Sequence, residues 1–184
     1  MHILRRENHR VSRWKNGGGE TAGIAVFPEN AGLDDFDWRI SMATVASDGP
    51  FSAFPGIDRT LSVLQGEGIV LEVDGRETEL TPGSTPFSFA ADATSSARLL
   101  GGTIIDLNVM TRRGRFTHTV ERREVGSVLE IAPDSMVFAA SEGLRVEGET
   151  SETELGLFDM LIPEVKRVRI GGSGLVYLIR IEKL

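Results

Sequence analysis

Twenty-one glycines divide the apolar residues of this 184-residue chain into short runs. That pattern suits strands and turns and leaves little room for long helices. Thr21–Phe27 predicts a strand ended by Pro28, and Trp38–Val45 a second, clearer one. Leu61–Leu64 and Ile69–Val73 follow, separated by a Gly66-Glu67-Gly68 turn, and Asp74-Gly75 marks a hairpin into Arg76–Leu80. Pro86 opens Phe87–Ala90, since proline is tolerated at the first residue of a strand. Asp92–Ala97 reads as a small-residue loop and Leu99–Met110 as a long β-rich run. Asn30–Asp37 reads as a polar loop, and only it and Thr150–Asp159 have room for a short helix.

The chain then begins again. In Leu61–Gly75 and in Ala139–Gly148, a Glu-Gly turn leads into a short strand and a second acidic-Gly turn. Each is followed by a strand, a loop near a proline (Pro82, Pro163) and a final apolar strand (Thr103–Met110, Gly174–Ile181). This predicts an internal duplication of a β-sandwich or barrel unit, with Leu61–Leu80 and Val137–Phe158 as its equivalent hairpins. Coincidence between two hairpin-rich segments is the alternative.

The twelve residues Asp48–Arg59 stand apart. Two Gly and two Pro forbid a regular helix or an ordinary central strand. Yet the stretch carries Phe51 and Phe54 beside Ser52, Asp58 and Arg59. A rigid loop with apolar anchors and a few polar groups commonly lines a small-molecule pocket; a tight β-corner with two core Phe is the plainer reading. Trp38–Val45 places Arg39 and Ser41 on the face shared with Ala43 and Val45, opposite Trp38, Ile40 and Met42. Asp106, Asn108 and Met110 share a face in the same way, opposite Ile105, Leu107 and Val109. A buried Arg is costly unless paired, so Arg39 needs a carboxylate of the protein or of a ligand, or else a solvent face.

Charge and composition narrow the function. The net charge of −7 argues against a partner such as duplex nucleic acid. With no Cys, disulfides, thiolate zinc sites and cysteine nucleophiles are excluded. The N-terminus lacks the apolar core of a secretory signal and no apolar run reaches membrane-spanning length, so a soluble cytoplasmic protein with no membrane partner is expected.

Four segments together carry a resemblance: Trp14-Lys15-Asn16-Gly17-Gly18-Gly19, Trp38-Arg39-x-Ser41, Gly49-Pro50-Phe51-Ser52-x-Phe54-Pro55-Gly56-x-Asp58-Arg59, and Asp106-x-Asn108-Val109-Met110 with Arg112-Arg113-Gly114. They resemble the HutD/Ves family. The resemblance implies an all-β bicupin, two cupin-like antiparallel barrels or sandwiches in one chain. Residues 1–120 would form the N-terminal barrel with the family motifs and residues 121–184 the C-terminal one. The family is associated with bacterial histidine utilisation and its members are usually described as non-enzymatic or uncharacterised.

Metal-dependent cupins use clustered His plus Glu, but this chain has three His in all, His2, His9 and His118, and no His-x-His. No metal and no other cofactor is expected. A hydrolase set is missing as well: there is no Gly-x-Ser-x-Gly elbow, and Asp58 and Asp106 are more simply partners of Arg59 and Arg39 than catalytic carboxylates. Gly17-Gly18-Gly19 lacks the Lys-Ser/Thr of a phosphate loop.

Recognition remains. Lys15, Asn16, Arg39 and Arg59 offer donors suited to a carboxylate, and Phe51, Phe54 and Met110 apolar walls. With Gly17, Ser41, Ser52, Asp58, Asp106 and Asn108 they make the candidate ligand-binding set. Arg39 and Arg59 are expected to reach one point from adjacent strands. The family context points to a small carboxylate of histidine breakdown, such as urocanate or formyl- or formiminoglutamate, with an accessory or regulatory role. A metal-independent isomerase or amide hydrolase acting on the same pool is the rival. A structural dimerisation module is the third reading, and a homodimer is compatible with either of the others.

Overall fold

A computed structural model describes residues 2–148, 152–164 and 168–184. The described residues form strands and one 3-10 turn, Arg6–Asn8, with no α-helix among them. The first eleven strands are β1 (His2–Leu4), β2 (Arg10–Arg13), β3 (Gly19–Phe27), β4 (Trp38–Val45), β5 (Gly49–Pro50), β6 (Ile57–Gln65), β7 (Ile69–Val73), β8 (Arg76–Leu80), β9 (Phe87–Ala90), β10 (Ser95–Leu99) and β11 (Ile104–Arg112). The rest are β12 (Phe116–Val125), β13 (Val128–Ile131), β14 (Ser135–Ala139), β15 (Leu144–Glu147), β16 (Glu152–Leu155), β17 (Met160–Ile162), β18 (Val168–Gly172) and β19 (Gly174–Lys183).

The chain divides into two compact units, Arg10–His118 with Glu182–Leu184, and Met1–His9 with Thr119–Ile181. In the first, the six-stranded sheet β2-β3-β4-β11-β6-β9 faces the four-stranded sheet β5-β10-β7-β8. One apolar cluster joins them: Ala43, Val45, Leu61, Val63 and Ile104 from the larger sheet meet Ile69, Leu71, Leu80 and Ala97 from the smaller. In the second unit the sheets are β1-β17-β14-β19-β12 and β13-β18-β15-β16. Strand order repeats: β4-β11-β6-β9 recurs as β12-β19-β14-β17, and β5-β10-β7-β8 as β13-β18-β15-β16, each strand replaced by the one eight places later. The hairpins β7–β8 and β15–β16 hold the same place in this order. The sheets do not close into barrels: each keeps two edge strands, so the units are sandwiches.

Alternation explains most of the strands. In β6, Leu61 and Val63 point into the sandwich, with Arg59 in phase with them. A bulge between Ile105 and Asp106 adds one residue to β6, so Asp106 still faces Val63. The β7–β8 turn is the one expected, with Asp74 and Gly75 both at positive φ (48° and 78°).

Three expectations are corrected. Asp92–Ala97 is not all loop, because Ser95 and Ala97 point inward in β10, where small side chains fit opposite Val73 and Leu71. The Leu99–Met110 run breaks before Ile104, since Gly101-Gly102 turns the chain between β10 and β11. Neither segment with room for a helix forms one among the described residues: Asn30–Asp37 is the polar loop its composition predicts, and of Thr150–Asp159, Thr150 and Ser151 lie outside the described residues and Glu152–Leu155 is a strand. At the N-terminus β1 pairs with β17, His2 opposite Ile162.

The glycine triplet proves to be a packing device. A Cβ on Gly19 would collide with the carbonyl oxygen of Thr44 on the neighbouring strand, and Gly17 adopts a φ of +73°. The run lets β3 lie close against β4.

Phe51 and Phe54, expected to be largely buried, are half-buried; Phe51 packs on the main core cluster, and Phe54 on Phe36 and its neighbours. Leu61 is fully buried. Leu61→Ala should therefore cost about 2–5 kcal/mol of stability, and Phe51→Ala, from a partly exposed site, measurably less in the same denaturant titration.

Candidate functional site

The inner face of the six-stranded sheet carries an unusual polar cluster at one end. β11 is its centre. Met110 lies opposite Arg39 of β4 on one side and opposite Arg59 of β6 on the other. The two Arg therefore point into the same sandwich, but not from adjacent strands as expected: β11 stands between them, so their backbones are about 10 Å apart. One residue pair further along, Asn108 lies opposite Ser41, and beyond it Asp106 opposite Ala43.

Arg59 is only 6% exposed. Its Nε and Nη2 both donate to Oδ1 of Asn108, at 2.8 and 2.5 Å. Asn108 in turn donates through Nδ2 to Oδ1 of Asp106 at 2.6 Å. The guanidinium is flanked by rings, 4.4 Å from the centroid of Phe51 and 5.5 Å from that of Phe89. The Gly/Pro-rich loop is what delivers Phe51 to this place. Its backbone is tied down by Phe51 N–H to Ser95 O (3.0 Å), Phe54 N–H to Ala91 O (2.9 Å) and Gly56 N–H to the Asp92 carboxylate (3.1 Å). Its last residues, Ile57–Arg59, already belong to β6.

Burial governs the electrostatics. Desolvation pulls the Arg59 pKa down to about 10, with Asp106 opposing and Arg39 adding to the fall. Desolvation pushes Asp106 up to about 6, against the pull of Arg59 and of the Asn108 hydrogen bond. Oδ2 of Asp106 is buried and finds no hydrogen-bond donor among the described residues. Arg39 is half-buried, its pKa also lowered by desolvation, and it makes no hydrogen bond or ion pair with a described residue. Two guanidinium groups thus face one carboxylate, and one of the two is unpaired. Such a face favours an anion.

The remaining candidates divide. Met110 is buried between the two Arg in a cluster with Phe36, Ile57 and Ala91, against which Phe54 packs. Ser41 is buried beside Asn108. Asp58 is not a partner of Arg59: alternation puts it on the opposite face of β6, where Arg113 holds it at 2.8 Å. Asp106 is not directly paired with Arg39; it supports Arg59 through Asn108. Ser52 is exposed in the loop. Lys15, Asn16 and Gly17 are exposed in the β2–β3 turn, and Gly19 lies opposite Val45. That is the far end of β4 from Arg39, about 20 Å along the strand. Asn16 caps its own turn, its Oδ1 accepting from Gly18 N–H at 3.0 Å.

The sequence did not announce Phe89, whose ring flanks Arg59; its only signal is that Phe87 and Phe89 alternate in a short strand. Nor did it show the use made of His118. On the outer face of the same sheet, its Nδ1 contacts Thr111 Oγ1 at 2.7 Å and its Nε2 contacts Thr60 Oγ1 at 2.8 Å. Desolvation lowers its pKa to about 4, with Asp58 opposing. Among the described residues no three His, Cys, Asp or Glu converge in a way that could hold a metal ion.

Antiparallel sandwiches of this order define a cupin-like all-β protein. A cupin 2 conserved barrel domain protein from Leptotrichia buccalis superposes with a TM-score of 0.60 over 88% of each chain, at 11% identity, a likeness of fold alone. The HutD family model matches residues 6–176, and the chain belongs to the HutD family. An uncharacterized 21.2 kDa protein in the hutC 3' region of Pseudomonas putida is 36% identical over 163 residues, 88% of this chain and 85% of that protein. Its name ties that relative to a histidine-utilisation locus. Protein Ves of Citrobacter koseri is 42% identical over 106 residues, 57% of this chain and 54% of Ves. The structure of HutD from Pseudomonas fluorescens SBW25, from a formate condition, superposes with a TM-score of 0.83 at 31% identity, covering 100% of this chain and 98% of that one.

Two buried groups titrate with opposite signs. The folded-state pKa of Asp106 lies above its unfolded value of 3.8, so its contribution to stability is present at low pH and is lost as pH rises through about 6. That of His118 lies below 6.5, so its contribution is present at neutral pH and is lost as pH falls through about 4. Each is on the order of 2–3 kcal/mol, the His118 value being at the lower end because the ring is partly exposed. Between pH 7 and 4, Asp106→Asn should lose stability on acidification more steeply than the parent, and His118→Gln less steeply. Chemical denaturation across that range checks both.

Proposed function

We propose that this chain is a bicupin whose Arg10–His118 unit binds a small carboxylate metabolite on the inner face of its larger sheet, in an accessory or regulatory role in cytoplasmic histidine utilisation. The observation that carries the reading is Arg39. It stands half-buried inside the sandwich with no acceptor among the described residues, facing the same space as the anchored Arg59. An arriving carboxylate would take the Arg39 fork, and Nη1 of Arg59, which has no acceptor among the described residues, is the second donor. Phe51, Met110 and Phe54 supply apolar surface for the rest of the molecule. Asn108 and Asp106 hold Arg59 in place before a ligand arrives, so little ordering cost remains at binding.

The locus of the P. putida relative supports histidine-derived acids as the class to try. Urocanate, formylglutamate and formiminoglutamate are the first compounds to test. A specific ligand at 100 times its dissociation constant should stabilise the fold by about 2.7 kcal/mol. The compounds should be recovered chemically unchanged; turnover would instead favour the metal-independent isomerase or amide hydrolase. Absence of stabilisation by every acid of the series would remove the proposal.

Lys at either position keeps the charge but loses the planar fork. Arg39→Lys should weaken binding about tenfold or more while leaving the unliganded melting temperature nearly unchanged, because Arg39 makes no hydrogen bond with a described residue. Arg59→Lys should weaken both, since Arg59 also holds Asn108. Calorimetric titration of the two variants separates these outcomes.

A further inference from the structure

The outer face of the same sheet has its own cavity, of about 360 Å³, lined by Asp58, Ser88, Ala90, Thr111, Thr117 and His118 together with Arg59 and Phe89. It lies wholly within the Arg10–His118 unit and is separated from Arg39 by the thickness of the sheet. A chain of hydrogen bonds runs along it. Thr111 Oγ1 contacts His118 Nδ1 at 2.7 Å, His118 Nε2 contacts Thr60 Oγ1 at 2.8 Å, and Thr60 Oγ1 contacts Ser88 Oγ at 2.7 Å.

The direction of this chain is not fixed by any charged member. A neutral imidazole has one donor and one acceptor nitrogen, and each hydroxyl both donates and accepts. If His118 carries its proton on Nδ1, it donates to Thr111, Thr60 donates to Nε2, and Ser88 donates to Thr60. Ser88 is then left with accepting capacity toward the cavity. With the other tautomer every bond reverses and Ser88 has a proton to donate. Ser88 is the exposed end of the chain. Its natural partner is a group that can also do both, which is a hydroxyl.

Charge argues the same way. Asp58, at the cavity wall, is held by Arg113 through Nε and Nη2, both at 2.8 Å, and Arg113 also holds Asp92 at 3.1 Å. The Arg59 guanidinium is turned to the inner face by its bonds to Asn108. His118 is kept neutral by burial. No unpaired charge therefore faces the space. Its volume falls in the range that takes a small ligand.

We propose that this outer cavity is a second binding site, for an uncharged polyhydroxylated small molecule of about monosaccharide size, with Ser88 and the Thr60–His118–Thr111 chain as its recognition element. The occupant is of a different chemical class from the inner-face anion, so each site can fail without the other.

The test is titration of the full chain with myo-inositol and with D-ribose, followed by the His118 ring resonances in nitrogen-15 spectra. Saturable shifts with either probe are expected. They should weaken about tenfold in Ser88→Ala, an exposed change that spares the core, and persist in Arg39→Lys. No saturable shift with either probe would overturn the proposal. So would shifts that survive unchanged in Ser88→Ala, or that vanish in Arg39→Lys, which would mean the probe had bound the inner face.

Discussion

A guanidinium with 6% of its surface exposed is the constraint around which this half of the chain is built. Burying Arg59 without partners would cost several kcal/mol. The fold meets that cost with three features from two parts of the sequence. Asn108 of β11 accepts two of its N–H groups, Asp106 of the same strand orients Asn108, and the Asp48–Arg59 loop lays Phe51 on the cation. Asn108 and Asp106 share the inner face of β11 because a strand repeats every two residues. The bulge beside Asp106 keeps that phase intact against β6. A chain built only for stability has a cheaper solution at this position, an apolar side chain. A buried Arg, with Arg39 across Met110 making no hydrogen bond or ion pair with a described residue, is what the proposed carboxylate site requires.

The second unit repeats the strand order with a buried charge of the opposite sign: Asp159, held by Arg5 Nη1 at 2.6 Å and by the Arg6 N–H at 2.9 Å. Among the described residues a buried Arg is found in the first unit alone. Repetition of the strand order therefore repeats the scaffold but not the Arg59–Asn108–Asp106 arrangement. Within the first unit, the one sheet separates two chemistries. Its inner face at Arg39 and Arg59 is cationic, while its outer face at Thr60, Thr111 and His118 is neutral and rich in hydroxyls. Successive residues of β6, Asp58, Arg59 and Thr60, serve alternate faces.

Much of this was legible in the sequence, because alternation is local. Trp38–Val45, Ile69–Val73, Arg76–Leu80 and Phe87–Ala90 fall where the pattern puts them, and the faces of β4 and β11 are those expected. The HutD resemblance held over most of the chain. What the sequence hid was long-range. Nothing local says that β11 separates β4 from β6, so Arg39 and Arg59 read as neighbours. Asp58 sits beside Arg59 in sequence and so read as its partner, although adjacent strand residues point to opposite faces. Lys15 and Asn16 belong to the same family motifs as Arg39, yet the direction of β3 carries them to the other end of β4. The signal that could have marked the outer cavity is Thr60 and Ser62, two polar residues on one face of a central strand.

The most direct measurement is a crystal structure of the chain with a stabilising carboxylate of the histidine pathway. The account predicts the carboxylate on the inner face of the six-stranded sheet, within hydrogen-bonding distance of the Arg39 guanidinium and on the Arg59 side of Met110, with the Arg59–Asn108–Asp106 chain unchanged. A carboxylate bound at the β2–β3 turn, in the His118 cavity or in the second unit, with Arg39 untouched, would contradict it.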